Sequence, residues 1–324
     1  MANTNMRKKL LAFGIGGALV LLILPIFLDD HLLTVAITGF MWAYLCVCWN
    51  LVFGLSGQFS LGHMIFWAVG AYTSTTLYLK YEISPWIGLF IGCILAAVLA
   101  YFISVTVLRY RIKGIYFALI TLAFAEVLRG LATNWKFIGG SVGLLLPLQQ
   151  SPQNMLFMSR IPYYYIMLSV LVFGLLVTYL IKNSKMGYYL IAIREDEEAA
   201  EIAGVPTSRY KIRIMVISAS LIAIAGTFYA QFFLYITPEI MLGFGSQMNM
   251  LIGTMVGGPG TIFGPVLGSL LFNFLGELLR GLPFAHSREI MVAEQLIWAL
   301  LLIVIVMRLP GGIITFFKKG ISKM

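Results

Sequence analysis

The sequence predicts an all-α integral membrane protein of about ten transmembrane helices, eight at the fewest, with both termini in the cytoplasm. Three observations predict it. Of 324 residues, 60% are hydrophobic and only 11% charged, with a mean hydropathy of +0.93, whereas a soluble core of this size requires a far larger polar shell. The apolar residues gather in windows long enough to cross a bilayer, roughly 20 residues each. Lys and Arg fall unequally on the two sides that those windows define.

The first apolar run, 10–28, follows Arg7, Lys8 and Lys9 and has the outline of a secretory leader. It is as long as a bilayer is thick, and Phe27-Leu28-Asp29-Asp30 lacks the small residues that cleavage needs, so it is read as a retained first span. Further spans are expected near 32–53, 62–79, 86–108, 114–131, 162–181, 212–235, 248–258, 264–281 and 290–307. The eighth is short; folded with its neighbour into a re-entrant hairpin, it lowers the count to eight and keeps the parity. The whole chain, 1–324, then forms a single transmembrane domain with an outer loop at about 132–161 and a polar inner segment at about 182–211.

With the N-terminus inside, the inner loops hold sixteen of the 22 Lys and Arg, and the outer face keeps Lys80, Arg129, Lys136, Arg160, Arg280 and Arg288. That split follows the positive-inside rule and orients both termini to the cytoplasm. The net charge of +9 therefore has a membrane explanation, and no basic stripe interleaved with aromatics points to nucleic acid. Cys46, Cys48 and Cys93 lie in apolar stretches without a His or thiol cluster around them, so they are packing residues rather than metal ligands.

Between the sixth and seventh spans lies Arg194-Glu-Asp-Glu-Glu-Ala-Ala-Glu-Ile-Ala-Gly204, the most polar stretch of the chain. Counting from Lys182 to Arg213 there are six basic and five acidic residues. At about 2.5–3.5 kcal/mol each, burying them at the bilayer centre would cost roughly 25 kcal/mol or more. The segment lies in water or against another protein. Its acidic residues suit the positive end of a helix dipole, Gly204 can end that helix and Pro206 can begin the next, which predicts a helix of about eleven residues from Arg194.

A second kind of interruption occurs within apolar sequence. Gly54, Gly57 and Gly62 alternate with Ser56, Gln58 and Ser60 at the junction of the second and third spans, followed by His63, and Gly257-Gly258-Pro259-Gly260 separates the eighth from the ninth. Backbone so broken is tolerated at membrane depth only where protein or water surrounds it, which fits a translocation path; close helix packing or, for the second stretch, a tight turn fits equally. Three carboxylates, Glu126, Glu277 and Glu294, lie inside spans. Glu126 with Arg129 and Glu277 with Arg280 are spaced to pair on one helix face, and Glu294 sits within a turn of the outer boundary.

Glu198-Ala199-Ala200-x-x-x-Gly204 resembles the Glu-Ala-Ala-x-x-x-Gly segment of ABC importer permeases, although the Leu-Pro that ends the longer form of that motif is missing after Ile214. Four further stretches resemble the branched-chain amino-acid permeases of this class, in their M-type subunit: 49–63 with Gly70-Ala-Tyr72, 114–126, Gly139-Gly-Ser-Val-Gly-Leu144, and 257–268. The resemblance implies an inner-membrane permease subunit of a bacterial importer for Leu, Ile and Val. It implies a coupling helix formed by Arg194, Glu195, Asp196, Glu198, Ala199, Ala200 and Gly204. Its expected partners are a second, H-type permease subunit in a heterodimer, two ATP-binding subunits that carry ATP and Mg, and a periplasmic amino-acid-binding protein. No Gly-x-x-x-x-Gly-Lys-Ser/Thr loop occurs in the sequence, so no such ATP site and no enzymatic role are expected of this chain. The same machinery could move urea, short amides or simple sugars, and an ion-coupled secondary transporter using the intramembrane carboxylates is the alternative of another class.

Overall fold

The computed structural model describes residues 20–110, 112–148, 151–280 and 311–315. It is built of helices, with one two-residue strand pair. Helix α1 spans Asp30–Ser56, α2 Met64–Tyr81, α3 Pro85–Arg109, α4 Ile115–Asn134 and α5 Ile161–Lys182. Two short helices follow, α6 Lys185–Glu195 and α7 Glu197–Ile202, then α8 Thr207–Phe233, α9 Pro238–Leu242, α10 Phe244–Gly257 and α11 Gly264–Arg280. Among the described residues five helices, α1, α3, α4, α5 and α8, are long and apolar enough to cross a membrane. This is a multi-pass membrane protein.

The expected spans from the second to the ninth each correspond to a helix, within a few residues. The largest offset at a start is in α8, which begins at Thr207 rather than 212 because the cations at its start are accommodated, Lys211 being buried. The first and tenth expected spans, both termini, Glu294 and the side chain of Arg280 lie outside the described residues. The short eighth span is a 14-residue helix, α10, about 21 Å long at 1.5 Å per residue and therefore too short to cross unaided. It is preceded by the single turn and a half of α9, capped by the Thr237 hydroxyl, which accepts from the Ile240 N–H at 3.3 Å.

Helices α1 and α8 form the centre. In their most apolar windows 67% and 61% of residues are buried, against 28% for α4 and α5, whose remaining apolar side chains face outward as lipid-exposed surfaces do. Small residues let the central helices approach: a Cβ on Gly70 would strike the Ala223 backbone, and one on Gly226 the Trp67 carbonyl. Tyr44 of α1 donates to the Leu221 carbonyl of α8 (2.8 Å) and Ser218 of α8 donates to the Cys48 carbonyl (2.7 Å), so the two helices are also hydrogen-bonded.

Loop contacts sort into two groups at opposite ends of the helices. At one end the 135–160 loop is tied down: Ser84 and Trp86 donate to the Gln153 and Pro152 carbonyls, Arg160 reaches the Asp30 carbonyl and Thr34 hydroxyl, and strand β1, Leu144–Leu145, pairs antiparallel with β2, Tyr235–Ile236. The other end gathers the 57–63 break, residues 112–114, α6 and α7, and the Gly257–Gly260 turn.

Candidate functional site

The acidic segment is two helices rather than one. Residue Arg194 lies in the last turn of α6, which ends at Glu195, and Asp196, in extended conformation at φ −155°, interrupts the helix and caps α7 by accepting from the Glu198 and Ala199 N–H groups, both at 3.0 Å. The expected eleven-residue helix is divided because a carboxylate bonding its own neighbouring amides wins over helix continuation at that position. Glu198 and Ala199 are exposed, Ala200 is buried, and Gly204 ends the segment at φ +86° with open space around it. Ile202, on the last turn of α7, is 89% exposed.

The segment is anchored by ion pairs that composition did not single out. Glu197 binds buried Lys211 of α8 at 2.6 Å and Lys113, before α4, at 3.7 Å; Glu198 lies 4.0 Å from the same Lys113. Residue Arg194 pairs with Glu195 (2.5 Å) and donates to the Gly54 carbonyl (2.7 Å). The acidic segment is thereby tied to the first glycine-rich break.

That break is locked to the second one. Asn50 of α1 accepts from the Gly260 N–H and donates to the Thr261 carbonyl, both at 2.8 Å, and Lys182 donates to the Gly260 carbonyl at 2.7 Å. A Cβ on Gly54 would collide with Asn50 and the Gly260 nitrogen, and Gly57 holds φ +71° to end α1, a conformation that glycine adopts without steric cost. Gly62 abuts the Thr121 carbonyl, Gly257 the Gly264 carbonyl and Gly258 the Gly311 carbonyl, with Pro259 half-buried between Gly258 and Gly260. The glycines thus mark close backbone contacts, and the polar capacity lies on their neighbours. A cavity of about 220 Å³ opens where the first break, the start of α8 and the acidic segment meet, lined by Ser56, Gly57, Gln58, Lys113, Arg194, Glu197 and Lys211 among others.

Between Ser56 and His63 the side chains bond locally. Ser56 donates to the Val52 carbonyl (2.6 Å) and accepts from Gln58 Nε2 (2.9 Å); Ser60 meets His63 Nδ1 at 2.8 Å, and its carbonyl accepts from Trp49 Nε1 at 2.9 Å. Beyond them runs a seam of buried polar atoms. Among the described residues eleven such side-chain atoms lack a hydrogen-bond partner, and six of them belong to His63 and α2: His63 Nε2, Trp67 Nε1 and the hydroxyls of Tyr72, Thr75, Thr76 and Tyr78. Two more are both amide atoms of Gln231, and one is Gln247 Nε2. Leaving such a group dry costs about 1–3 kcal/mol, so a concentration of them on one helix calls for water or a polar solute. The sequence signal was the run Tyr72-Thr-Ser-Thr-Thr76 inside an expected span, in which Tyr72, Thr75 and Thr76 share a helix face.

Of the expected intramembrane carboxylates, Glu126 and Glu277 are described, and both are paired at the end opposite α7. Glu126 accepts from Arg129 at 2.6 Å as spaced, and Arg129 also reaches Glu239 at 3.0 Å. Glu277 meets His31 at 3.2 Å.

Taken together these features define a multi-pass membrane protein in which broken helices and buried polar groups adjoin a charged extramembrane segment. The chain belongs to the family described as branched-chain amino acid transport system / permease component, which it matches over residues 31–309. It is 30% identical over 259 residues to the high-affinity branched-chain amino acid transport system permease protein LivM of Escherichia coli (strain K12), covering 71% of this chain and 59% of that protein. Against the corresponding LivH protein of Salmonella typhimurium it is 27% identical over 293 residues, covering 85% of this chain and 92% of that one. A shorter match, 24% over 123 residues, links it to the ribose import permease protein RbsC of Haemophilus influenzae, covering 37% of this chain and 38% of that protein. The chain spans about three fifths of the length of the LivM proteins of Escherichia coli and Salmonella typhimurium that it matches. No solved structure matches it.

Proposed function

We propose that this chain is a permease subunit of an ABC importer that moves branched-chain amino acids across the bacterial inner membrane by ATP-driven alternating access. The single observation that carries the reading is the linkage of the α6–α7 segment to α8, through Glu197 and Lys211, and to the first glycine-rich break, through Arg194, with Asn50 joining that break to the second. On this reading α7 faces the cytoplasm and is the coupling helix. Two ATP-binding subunits supply ATP and Mg and grip it, a second permease subunit completes the pore, and a periplasmic amino-acid-binding protein delivers the solute. Closure of the ATP-binding subunits shifts α7, and the ion pair to Lys211 passes that displacement into α8.

Exposed Glu198 faces the ATP-binding partner, so Glu198→Lys should abolish leucine uptake in proteoliposomes of the complete complex while the chain still inserts. Undiminished uptake in that variant overturns the assignment. A second cargo has one observation in its favour, the similarity to a ribose import permease. Thermal stabilisation of the cognate binding protein by leucine, with none by ribose or urea, decides for amino acids; the reverse pattern decides against them.

A further inference from the structure

We infer that the carboxylate of the transported amino acid is held at the N-terminus of α2 by Gln247 and His63. This deepens the proposed function and rests on it. Residue Gln247, on α10, is 2% exposed and His63, immediately before α2, is fully buried. The Gln247 Oε1 accepts from the Met64 N–H, the first amide of α2, at 3.3 Å, which fixes the carboxamide at the helix end and identifies its other atom as Nε2. Two N–H donors on that nitrogen have no partner, and neither has His63 Nε2. His63 Nδ1 is engaged by the Ser60 hydroxyl at 2.8 Å; with Nδ1 accepting from that hydroxyl, Nε2 carries the proton and becomes a third donor.

Three buried donors beside the positive end of an 18-residue helix form a set that an ammonium group cannot satisfy and that favours an anionic acceptor over a neutral one. The two oxygens of a carboxylate match it, with the hydrogen bonds strengthened by the ligand's charge. Among the described residues the groups bonded in the cluster are Ser60, His63, Met64 and Gln247, none of them acidic. The alkyl side chain of the solute needs no polar partner, and Phe66, packed edge-to-face on the His63 ring, supplies an apolar neighbour. Both side chains are shut from solvent in this conformation, so the site is loaded only when α10 and α2 separate.

The test uses the complete complex in proteoliposomes, with its binding protein saturated by leucine. Leucine taken up per ATP hydrolysed should fall about tenfold in Gln247→Glu, which replaces two donors by a charge of the same sign as the leucine carboxylate, while His63→Gln, which keeps a donor, should retain most of it. Equal transport by Gln247→Glu and the unaltered complex overturns the inference. Failure of the unaltered complex to move leucine at all instead overturns the proposed function. Should Gln247→Glu not assemble, Gln247→Cys provides the readout: leucine should protect it from a thiol reagent, and isoamylamine, which has the same ammonium and alkyl groups without the carboxylate, should not. Equal protection by both compounds, or by neither, also overturns it.

Discussion

Lys211 is an ammonium with almost no exposed side-chain surface, and Glu197 is the carboxylate 2.6 Å from it. Breaking such a pair from one side leaves an uncompensated charge, so Glu197→Gln should destabilise the protein by about 3 kcal/mol. A lower melting temperature in detergent, largely restored by adding Lys211→Met, is the expected result. Sequence reading placed both residues in the acidic-basic stretch but could not pair them, because eleven charges in one segment admit many partners and only the fold selects among them. Glu126 with Arg129 was legible for the opposite reason: three residues apart on one helix, they meet wherever that helix goes. The pairing expected of Glu277 with Arg280 falls on a side chain outside the described residues; Glu277 also meets His31, brought from α1 by tertiary packing.

At the scale of elements, α7 depends on its cap. It has six residues, too few to be stable as an isolated helix, and Asp196 satisfies two of its first N–H groups. Asp196→Ala should cost about 1 kcal/mol locally, seen as faster hydrogen exchange in 197–202 with exchange in α8 unchanged. Gly54→Val tests the contact between the two breaks, since any Cβ there strikes Asn50 and Gly260. Separated breaks should give a purified chain of lower melting temperature. Helix positions were readable because apolar windows of membrane length have few alternative structures. The division at Asp196 was not, since acidic residues after Arg194 serve equally as a first helical turn or as a cap between two helices. The polar seam along α2 was readable only as composition, because hydroxyls that bond their own helix and hydroxyls left unsatisfied look alike in sequence.

For the whole molecule, the two groups of loop contacts imply opposite membrane faces. Met158 and Ile202 are 87% and 89% exposed, one in each group. An impermeant thiol reagent applied to intact spheroplasts should label Met158→Cys, whereas Ile202→Cys should react only after lysis; the inverse pattern would reverse the orientation. The same geometry has a consequence for the far side of the bilayer. Helix α8 is 27 residues long, about 40 Å, and immediately past its end Ile236 and Tyr235 are stitched to Leu144 and Leu145 of the outer loop. If α8 pivots near its Lys211 end by ten degrees, that β-ladder is carried sideways by about 7 Å. Under the proposed function, that rim would be a gauge of nucleotide state, and whatever docks on it would meet a different shape before and after hydrolysis.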